Sequence, residues 1–328
     1  MQIGKIPETV LKRSVLKKIK VKRPEVLVHA GVGEDCAVLG PTEDAIVLST
    51  DPITGTSKDI GKLAFHITAN DIASSGAELV GMLVTVIFPP ESAEEELKMI
   101  MEELTALAEK YEVEILGGHT EVSAAVNQTL ISVTGVGKAA KGKIVTTGGL
   151  RAGQELVVTK WIGLEGSSIL AKEKEEILQR QLPNEIIETA KRFDEKLSVV
   201  PDSKVAMEIG ASAMHDMTEG GIFGALWEMA AASGVGLTVD LKKIPLRQET
   251  IEICEVFDIN PYMLISSGSL LIGTNHGYQL VQELEQAGIH AAVIGYATEG
   301  NDRIVVNGEE RRYLEPPKTD ELFRALRF

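Results

Sequence analysis

The chain is 328 residues long, enough for two ordinary domains, and its 44% apolar and 25% charged residues exclude a disordered or fibrous protein. A formal net charge of -15 excludes broad nucleic-acid binding, because a phosphate backbone is held by clustered Lys and Arg. Two cysteines, Cys36 and Cys254, supply neither a disulfide scaffold nor a Cys-rich metal site, and no apolar run is long enough to span a bilayer, so a soluble cytoplasmic protein is expected.

A basic stretch comes first. Between Lys5 and Arg23 it collects Lys12, Arg13, Lys17, Lys18, Lys20, Lys22 and Arg23 against Glu8 alone. It reads either as a solvated helix face or as a mobile arm that approaches a polyphosphate. Leu11, Val15, Leu16 and Ile19 place a helix over Thr9 to Ile19, and Ala45 to Leu48 is a short buried strand closed by Ser49, Thr50 and Asp51. A helix over Ser57 to Gly76 follows, carrying Ile60, Leu63, Ala64, Ile67 and Ile72, and then a strand from Leu79 to Phe88, stopped by Pro89 and Pro90. Ser92 with Glu95 makes a capping-box pattern ahead of a second long helix, striped by Leu97, Ile100, Met101, Leu104, Leu107 and Ala108. Val113 to Leu116, a Gly117-Gly118 turn and a strand from Thr129 to Val136 complete the first half.

The glycine-rich break from Thr146 to Gly153 marks a boundary, which divides the chain into domains 1–148 and 149–328. Beyond it the pattern predicts a strand at Glu155 to Thr159, helices at Ser167 to Ala171 and Pro183 to Lys196, and a segment His215 to Gly221 leading into a helix from Ile222 to Ser233. A strand at Leu237 to Asp240, a helix at Glu249 to Phe257, a strand at Ser269 to Gly273, a helix at Tyr278 to Ala287 and a strand at Ala291 to Ile294 follow. Both halves are therefore expected to be α+β. Neither a G-x-x-x-x-G-K-[ST] loop nor a strand-linked G-x-G-x-x-G occurs, so P-loop and Rossmann nucleotide sites lose their main support.

Acidic residues at element ends are the first candidates for chemistry, since a ligand can be met there while the scaffold stays rigid. They are Asp35 in Gly33-Glu34-Asp35, Asp51 before Pro52, Asp71 in Asn70-Asp71, and Glu121, which would share one strand face with His119 if Gly117-Gly118-His119-Thr120-Glu121 is extended. Each alone has a plainer reading: a turn former, a pre-proline turn, a helix-end polar group, a surface acid. Together they flank apolar segments, where a carboxylate needs a cation or hydrogen bonds to stay charged, and magnesium is the economical cation. In the second half, Asp216-Met217-Thr218-Glu219-Gly220-Gly221 runs into a helix. Its glycines suit close approach of an anion to free backbone N–H groups, or simply make a capped turn.

The succession Gly33-Glu34-Asp35, Thr50-Asp51, Asn70-Asp71 with Gly76-Ala77-Glu78, Gly117-Gly118-His119-Thr120 and Asp216-x-Thr218-x-Gly220-Gly221 resembles the aminoimidazole-ribotide-synthetase (PurM) superfamily over essentially the whole chain. That group includes thiamine-monophosphate kinase, selenophosphate synthetase and the HypE-type hydrogenase maturation proteins. The opening Gly4-Lys5-Ile6-Pro7, the Arg23-Pro24-Glu25-Val26-Leu27-Val28 segment and Ala232-Ser233-Gly234-Val235-Gly236 look most like HypE-type members. The resemblance implies a two-domain α+β fold whose N-terminal domains pair into a dimeric β-barrel, with ATP in the groove between domains. Carried over by position, Asp35, Asp51 and Asp71 match the metal and triphosphate acids, and Asn70 accompanies Asp71. Gly117, Gly118, His119 and Thr120 match the phosphate-side turn. Asp216, Thr218, Gly220 and Gly221 match the motif facing the acceptor, with Asp216 and Thr218 as its chemical residues. Many members carry an acid where His119 stands, so the metal set is expected to be rebuilt around Glu121 or to lack one ligand. The segment from Leu322 to Phe328 has no cysteine, unlike the reactive tail of HypE.

The expectation is therefore an ATP- and Mg2+-dependent enzyme that activates an oxygen of a small-molecule or protein-borne acceptor by phosphoryl transfer. It would work as a homodimer, without nucleic acid or membrane. The alternatives are ATP-dependent carbamoyl dehydration of the HypE type and a nucleotide-binding regulatory protein without turnover. The terminus from Asp320 to Phe328 is amphipathic and is expected to dock and be ordered.

Overall fold

Segments whose apolar residues recur every second position become strands, and those with three- and four-residue spacing become helices, in a computed structural model describing residues 4–5, 8–28, 38–39, 44–53, 58–140, 142–315 and 319–327. The chain divides into two units, one comprising Met1–Ile72 with Ala77–Ile144 and the other Ala73–Gly76 with Val145–Phe328.

The elements up to Ile144 are β1 (Gly4–Lys5), α1 (Glu8–Ser14), β2 (Val26–Val28), β3 (Val38–Leu39), β4 (Ala45–Ile53), α2 (Ile60–Ser74), β5 (Glu78–Phe88), α3 (Glu94–Tyr111), β6 (Glu114–Val122) and β7 (Leu130–Ala139). β2 and β3 pair with each other, and the remaining strands form one sheet in the order β1-β6-β5-β7-β4. Within one chain this sheet is open, with β1 and β4 at its edges. β5 and β6 are parallel, which requires a long crossover, and α3 is that crossover. The α3 stripe Leu97, Ile100, Met101, Leu104 and Ala108 is buried, as its spacing predicts.

Three local expectations are corrected here. The α3 N-cap is Ala93, with no side-chain cap, so Ser92 and Glu95 do not form a capping box; Glu94, Glu95 and Glu96 sit instead in the first turn, where the helix dipole favours negative charge. β4 is not a short buried strand closed by Asp51, since Ile46 and Leu48 are exposed on it. It continues through Asp51 and Pro52 to Ile53, which an edge strand permits because the missing N–H of proline costs no ladder bond on the open side. Gly117 and Gly118 are not a turn but lie inside β6. Gly118 has φ +147°, and a Cβ there would stand 1.8 Å from the Val84 carbonyl oxygen, so only glycine lets β6 lie this close to β5.

The basic N-terminal stretch is neutralised by the acidic face of α3 and its neighbours. Arg13 Nε donates to Glu94 at 2.7 Å, Lys20 pairs with Glu109 at 2.8 Å, and the Arg23 backbone N–H donates at 2.8 Å to Glu114, whose side chain is fully buried. Arg23 further pairs with Glu25 and Glu78. A segment tied down at these points is a packed face, and the mobile-arm reading is set aside.

The second unit contains β8 (Glu155–Thr159), α4 (Leu164–Glu173), α5 (Glu175–Leu178), α6 (Asn184–Lys191), α7 (Val200–Ile209), β9 (Ala213–Asp216), α8 (Gly221–Ser233), β10 (Gly236–Asp240), α9 (Gln248–Val256), β11 (Leu270–Thr274), α10 (Gly277–Gln286), β12 (Ala291–Thr298), β13 (Arg303–Asn307), β14 (Glu310–Tyr313) and α11 (Glu321–Ala325). Its sheet has the order β14-β13-β10-β12-β8-β11-β9. Leu156 and Val158 of β8 join the core built around α8, while Val157 joins the one built around α7 and α10. Covering on both faces is why β8 and β11 read as unbroken apolar runs rather than alternating ones. A third cluster gathers α4, α6, α9 and α11, with Leu322 and Ala325 of the C-terminal helix buried in it, so the expected docking of that segment is observed. No helix among the described residues is long and apolar enough to cross a membrane.

Candidate functional site

Side chains on β4 alternate across the sheet, and this alternation sorts the candidates of the first unit. Asp51 stands opposite Val133 of β7, Val133 opposite Val84 of β5, and Val84 opposite Gly118 of β6, so these positions share one face. That face packs on α2: a Cβ on Gly135, two residues from Val133, would meet Thr68 and Ile72 of the helix. Ser49 lies on the same face, two residues before Asp51, and its hydroxyl donates to the Asp71 carboxylate on α2. Asp51 and Asp71 are thereby brought to one edge of the sheet, with Ser49 about 7 Å along the strand from Asp51. Asn70 is fully buried beside Asp71, and Thr120 faces the same side as Gly118.

His119 and Glu121 take the other face. His119 stands opposite Thr85 and Glu121 opposite Ile87, and the two side chains meet each other, Nε2 to Oε2 at 3.0 Å, in largely solvent-accessible surroundings. Their sharing of a strand face is as expected. Their convergence with Asp51 and Asp71 is not seen, because a sheet stands between them, so Glu121 as a metal ligand alongside those acids is corrected. Asp35 lies outside the described residues, and among the described residues no group of three or more His, Cys, Asp or Glu side chains is placed to hold a metal ion. Two carboxylates still fit magnesium, which commonly binds through one or two of them plus substrate phosphates.

In the second unit, Asp216 ends β9 opposite Leu270 and is 7% exposed. Thr218 follows in the turn, its carbonyl accepting from Gly221 N at 3.1 Å. Gly220 and Gly221 have φ of +82° and +58°, and a Cβ on Gly221 would meet the Leu264 and Tyr262 carbonyl oxygens at 2.7 and 2.8 Å. These glycines therefore seat the start of α8 on the 262–264 backbone. The Gly220 N–H, expected to be open to an anion, donates instead to Asp320 Oδ2 at 2.7 Å. Asp320 Oδ1 accepts from Ile265 N at 3.2 Å and Leu322 N at 2.8 Å. An internal carboxylate thus occupies the place at the helix N-terminus that a phosphate would take, and the assignment of Gly220 N–H to phosphate is corrected. A cleft of about 210 Å3 lies beside this turn, lined by residues that include Gly220, Phe223, Asn260, Met263, Arg312 and Tyr313. Phe223 stacks on Tyr262 at 5.3 Å, and the Arg312 guanidinium sits 5.8 Å from the Phe223 ring.

Two buried acids near this turn escaped sequence reasoning. Asp320 looks like an ordinary N-cap before an amphipathic helix, and its reach to Gly220 across 100 residues of sequence leaves no local trace. Glu165 is second in α4 and 3% exposed. Burial pushes its carboxyl up to about 7, against the lowering effect of Ser267 and with help from the nearby charges of Asp320 and Glu219. The one available signal was an acid between Leu164 and Gly166 in an apolar helix start.

Comparison with known proteins sets these positions in context. Residues 33–139 match the model of the AIR synthase related protein N-terminal domain, and residues 151–307 that of its C-terminal domain. A Methanocaldococcus jannaschii protein named for hydrogenase expression/formation is 27% identical over 98% of this chain and 97% of its own. The carbamoyl dehydratase HypE of Rhodobacter capsulatus is 28% identical over 81% of this chain and 74% of its own. A crystal structure of the hydrogenase maturation protein HypE in complex with ATP superposes with a TM-score of 0.81 at 20% identity, covering 98% of this chain and 97% of that one, so the fold is shared.

Proposed function

Since the chain belongs to the AIR synthase related family in both of its halves, we propose that it is an ATP- and magnesium-dependent enzyme that activates an oxygen of a small acceptor by phosphoryl transfer. The observation that carries this reading is the placement of Asp51 and Asp71 at one edge of the first unit's sheet, with Asp71 accepting from Ser49 two residues before Asp51 on the same face. Asp51, Asp71 and, by position in the family pattern, Asp35 would hold magnesium, which neutralises phosphate charge and aligns the transfer. Asn70 beside Asp71 supplies a neutral polar group there, and Thr120 shares the face but stands on β6, three strands from β4. Asp216 and Thr218 are proposed to meet the acceptor, with Gly220 and Gly221 shaping the turn rather than binding phosphate. Purified protein given ATP and magnesium should release ADP over time. Binding of ATP without any release across a panel of small amides, phosphorylated metabolites and thiol-bearing partners would select the non-catalytic reading instead.

Carbamoyl dehydration is the second reading, favoured by the names of the M. jannaschii and R. capsulatus relatives. A carrier cysteine for it must reach a partner as a thiolate. Cys254 does not qualify: it is 2% exposed, and burial, with the nearby negative charges of Glu321 and Glu255, pushes its thiol up to about 12. Cys36 lies outside the described residues.

A homodimer is part of the proposal. Ile46, Leu48 and Leu83 are 46%, 65% and 38% exposed on the side of the sheet away from α2, the first two on β4 and Leu83 on β5 across β7, in line with Thr134 and Thr50. A second copy is the economical cover for such a patch. The double variant Leu48→Glu, Leu83→Glu should shift the sedimentation of the protein from dimer to monomer at micromolar concentration. A wild-type protein that already sediments as a monomer would remove the dimer from the proposal.

A further inference from the structure

Two buried carboxyl groups bracket one loop of the second unit. Asp320 holds it from one side, accepting from Ile265 N at 3.2 Å. The start of α4 holds it from the other: Gly166 N donates to Ile265 O at 3.2 Å, and Gly163 N to Ser266 Oγ at 2.8 Å. Glu165 lies between these donors in sequence, and its carboxyl is acted on by the Ser267 hydroxyl and backbone and by the charges of Asp320 and Glu219. Its Oε2 and the Ser267 Oγ are both buried and make no hydrogen bond of ordinary geometry. The same loop presses on α8 through the Leu264 and Tyr262 carbonyls that crowd Gly221, while Asp320 binds Gly220 directly.

We propose that Glu165 is a positioning residue for the Asp216–Gly221 motif: its buried side chain at the start of α4 and Asp320 flank the Ile265 loop from two sides, and together they keep the first turn of α8 in place. The electrostatic reason is local. Burial pushes the Asp320 carboxyl up, with help from the charge of Glu219, and the three backbone N–H groups that it accepts from, those of Gly220, Ile265 and Leu322, oppose this by favouring its ionised form. A second negative charge in the same water-poor region is costly, so one of the two acids keeps its proton, and Glu165, with an orphaned oxygen, is that one. Of the cations on the elements packed against α4, Arg192 is exposed to solvent and Lys196 lies over the Trp161 ring. Lys191 pairs with Glu175 and Glu188, Lys172 with Asp194, Arg247 with Glu249, and Arg324 with Glu321 and Asp258. Glu185 of α6 and Glu252 and Glu255 of α9 add only negative charge.

The sign follows from linkage. A carboxyl raised from 4.5 to about 7 on folding contributes stability that is fully present below about 4.5 and is lost as pH rises through about 7. Above that point the charge on Glu165 should loosen the grip of Asp320 on Gly220. The proposal rests on the acceptor role of Asp216 and Thr218 only for its activity arm. Hydrogen exchange of the Gly220 amide in the intact protein serves as the readout independent of that role.

In the wild type, the protection factor of the Gly220 amide is expected to fall by about tenfold between pH 6 and pH 8, and ADP release to decline in parallel. Glu165→Gln, which keeps the shape and removes the titration, should flatten both profiles. If Glu165→Gln shows the wild-type slope in exchange, the proposal is wrong. If it flattens exchange but leaves the pH profile of ADP release unchanged, the positioning role is wrong, whereas absence of ADP release in every form defeats the proposed function and leaves the exchange result to decide. Should Glu165→Gln fail to fold, side-chain 13C titration of Glu165 in the wild type decides instead: a midpoint near 7 supports the proposal and one below about 5.5 overturns it.

Discussion

Asp320→Ala is expected to destabilise the second unit by about 3 to 5 kcal/mol, since it leaves backbone N–H groups without their acceptor at about 1 to 3 kcal/mol each. The carboxylate is 2% exposed and accepts from the N–H groups of Gly220, Ile265 and Leu322. Its loss leaves three donors, those of Gly220 and Leu322 on buried residues, without this partner and detaches the docked C-terminal helix from the start of α8. Urea denaturation at pH 7 checks this. A change of less than about 1 kcal/mol would mean that the Gly220 N–H is satisfied elsewhere, and would return the α8 N-terminus to the list of places where a phosphate can bind. Asp320→Asn, which still accepts through one oxygen, should fall between the wild type and the alanine variant.

Asp71→Asn is expected to weaken magnesium-dependent ATP binding by ten- to a hundredfold, about 1.4 to 2.7 kcal/mol, with the fold intact. The amide keeps the shape of the side chain and can still accept from the Ser49 hydroxyl, but it removes the charge that a magnesium ion on the triphosphate would require. Glu121→Gln is the matched control. It lies across the sheet from Asp71, paired with His119, and should change the affinity by less than about twofold. Calorimetry with a non-hydrolysable ATP analogue, with and without magnesium, separates the two. Equal losses in both variants would contradict the separation of the faces, and no loss in Asp71→Asn would remove Asp71 from the nucleotide site.

Much of the fold was legible in the chain because periodic patterns and short unbroken apolar runs are local. β5, α3, β8, α8, α9, β11 and α10 fall where their apolar residues recur. α7, β13 and β14 were not legible. α7 opens on Val200, Pro201 and Asp202, which read locally as a turn, and β14 is exposed along its whole length, so burial marks no face of it. Gly117 and Gly118 show the limit in the other direction. Consecutive glycines suggest a turn by propensity, yet in β6 they are needed because the β5 backbone is too near for a side chain.

By itself the sequence determined the α+β class, the family pattern and the candidacy of Asp51, Asn70, Asp71, Asp216 and Thr218, because residue type and spacing carry that information. Only the tertiary structure decided which candidates share a place. Strand alternation put Asp51 and Asp71 on one face and His119 with Glu121 on the other, since a single-residue step along a strand reverses the direction of a side chain. It also placed Asp320 on the Gly220 N–H and buried Glu165 beside it. Those contacts join residues far apart in the chain, and their energies depend on the removal of water, which no local pattern of residues records.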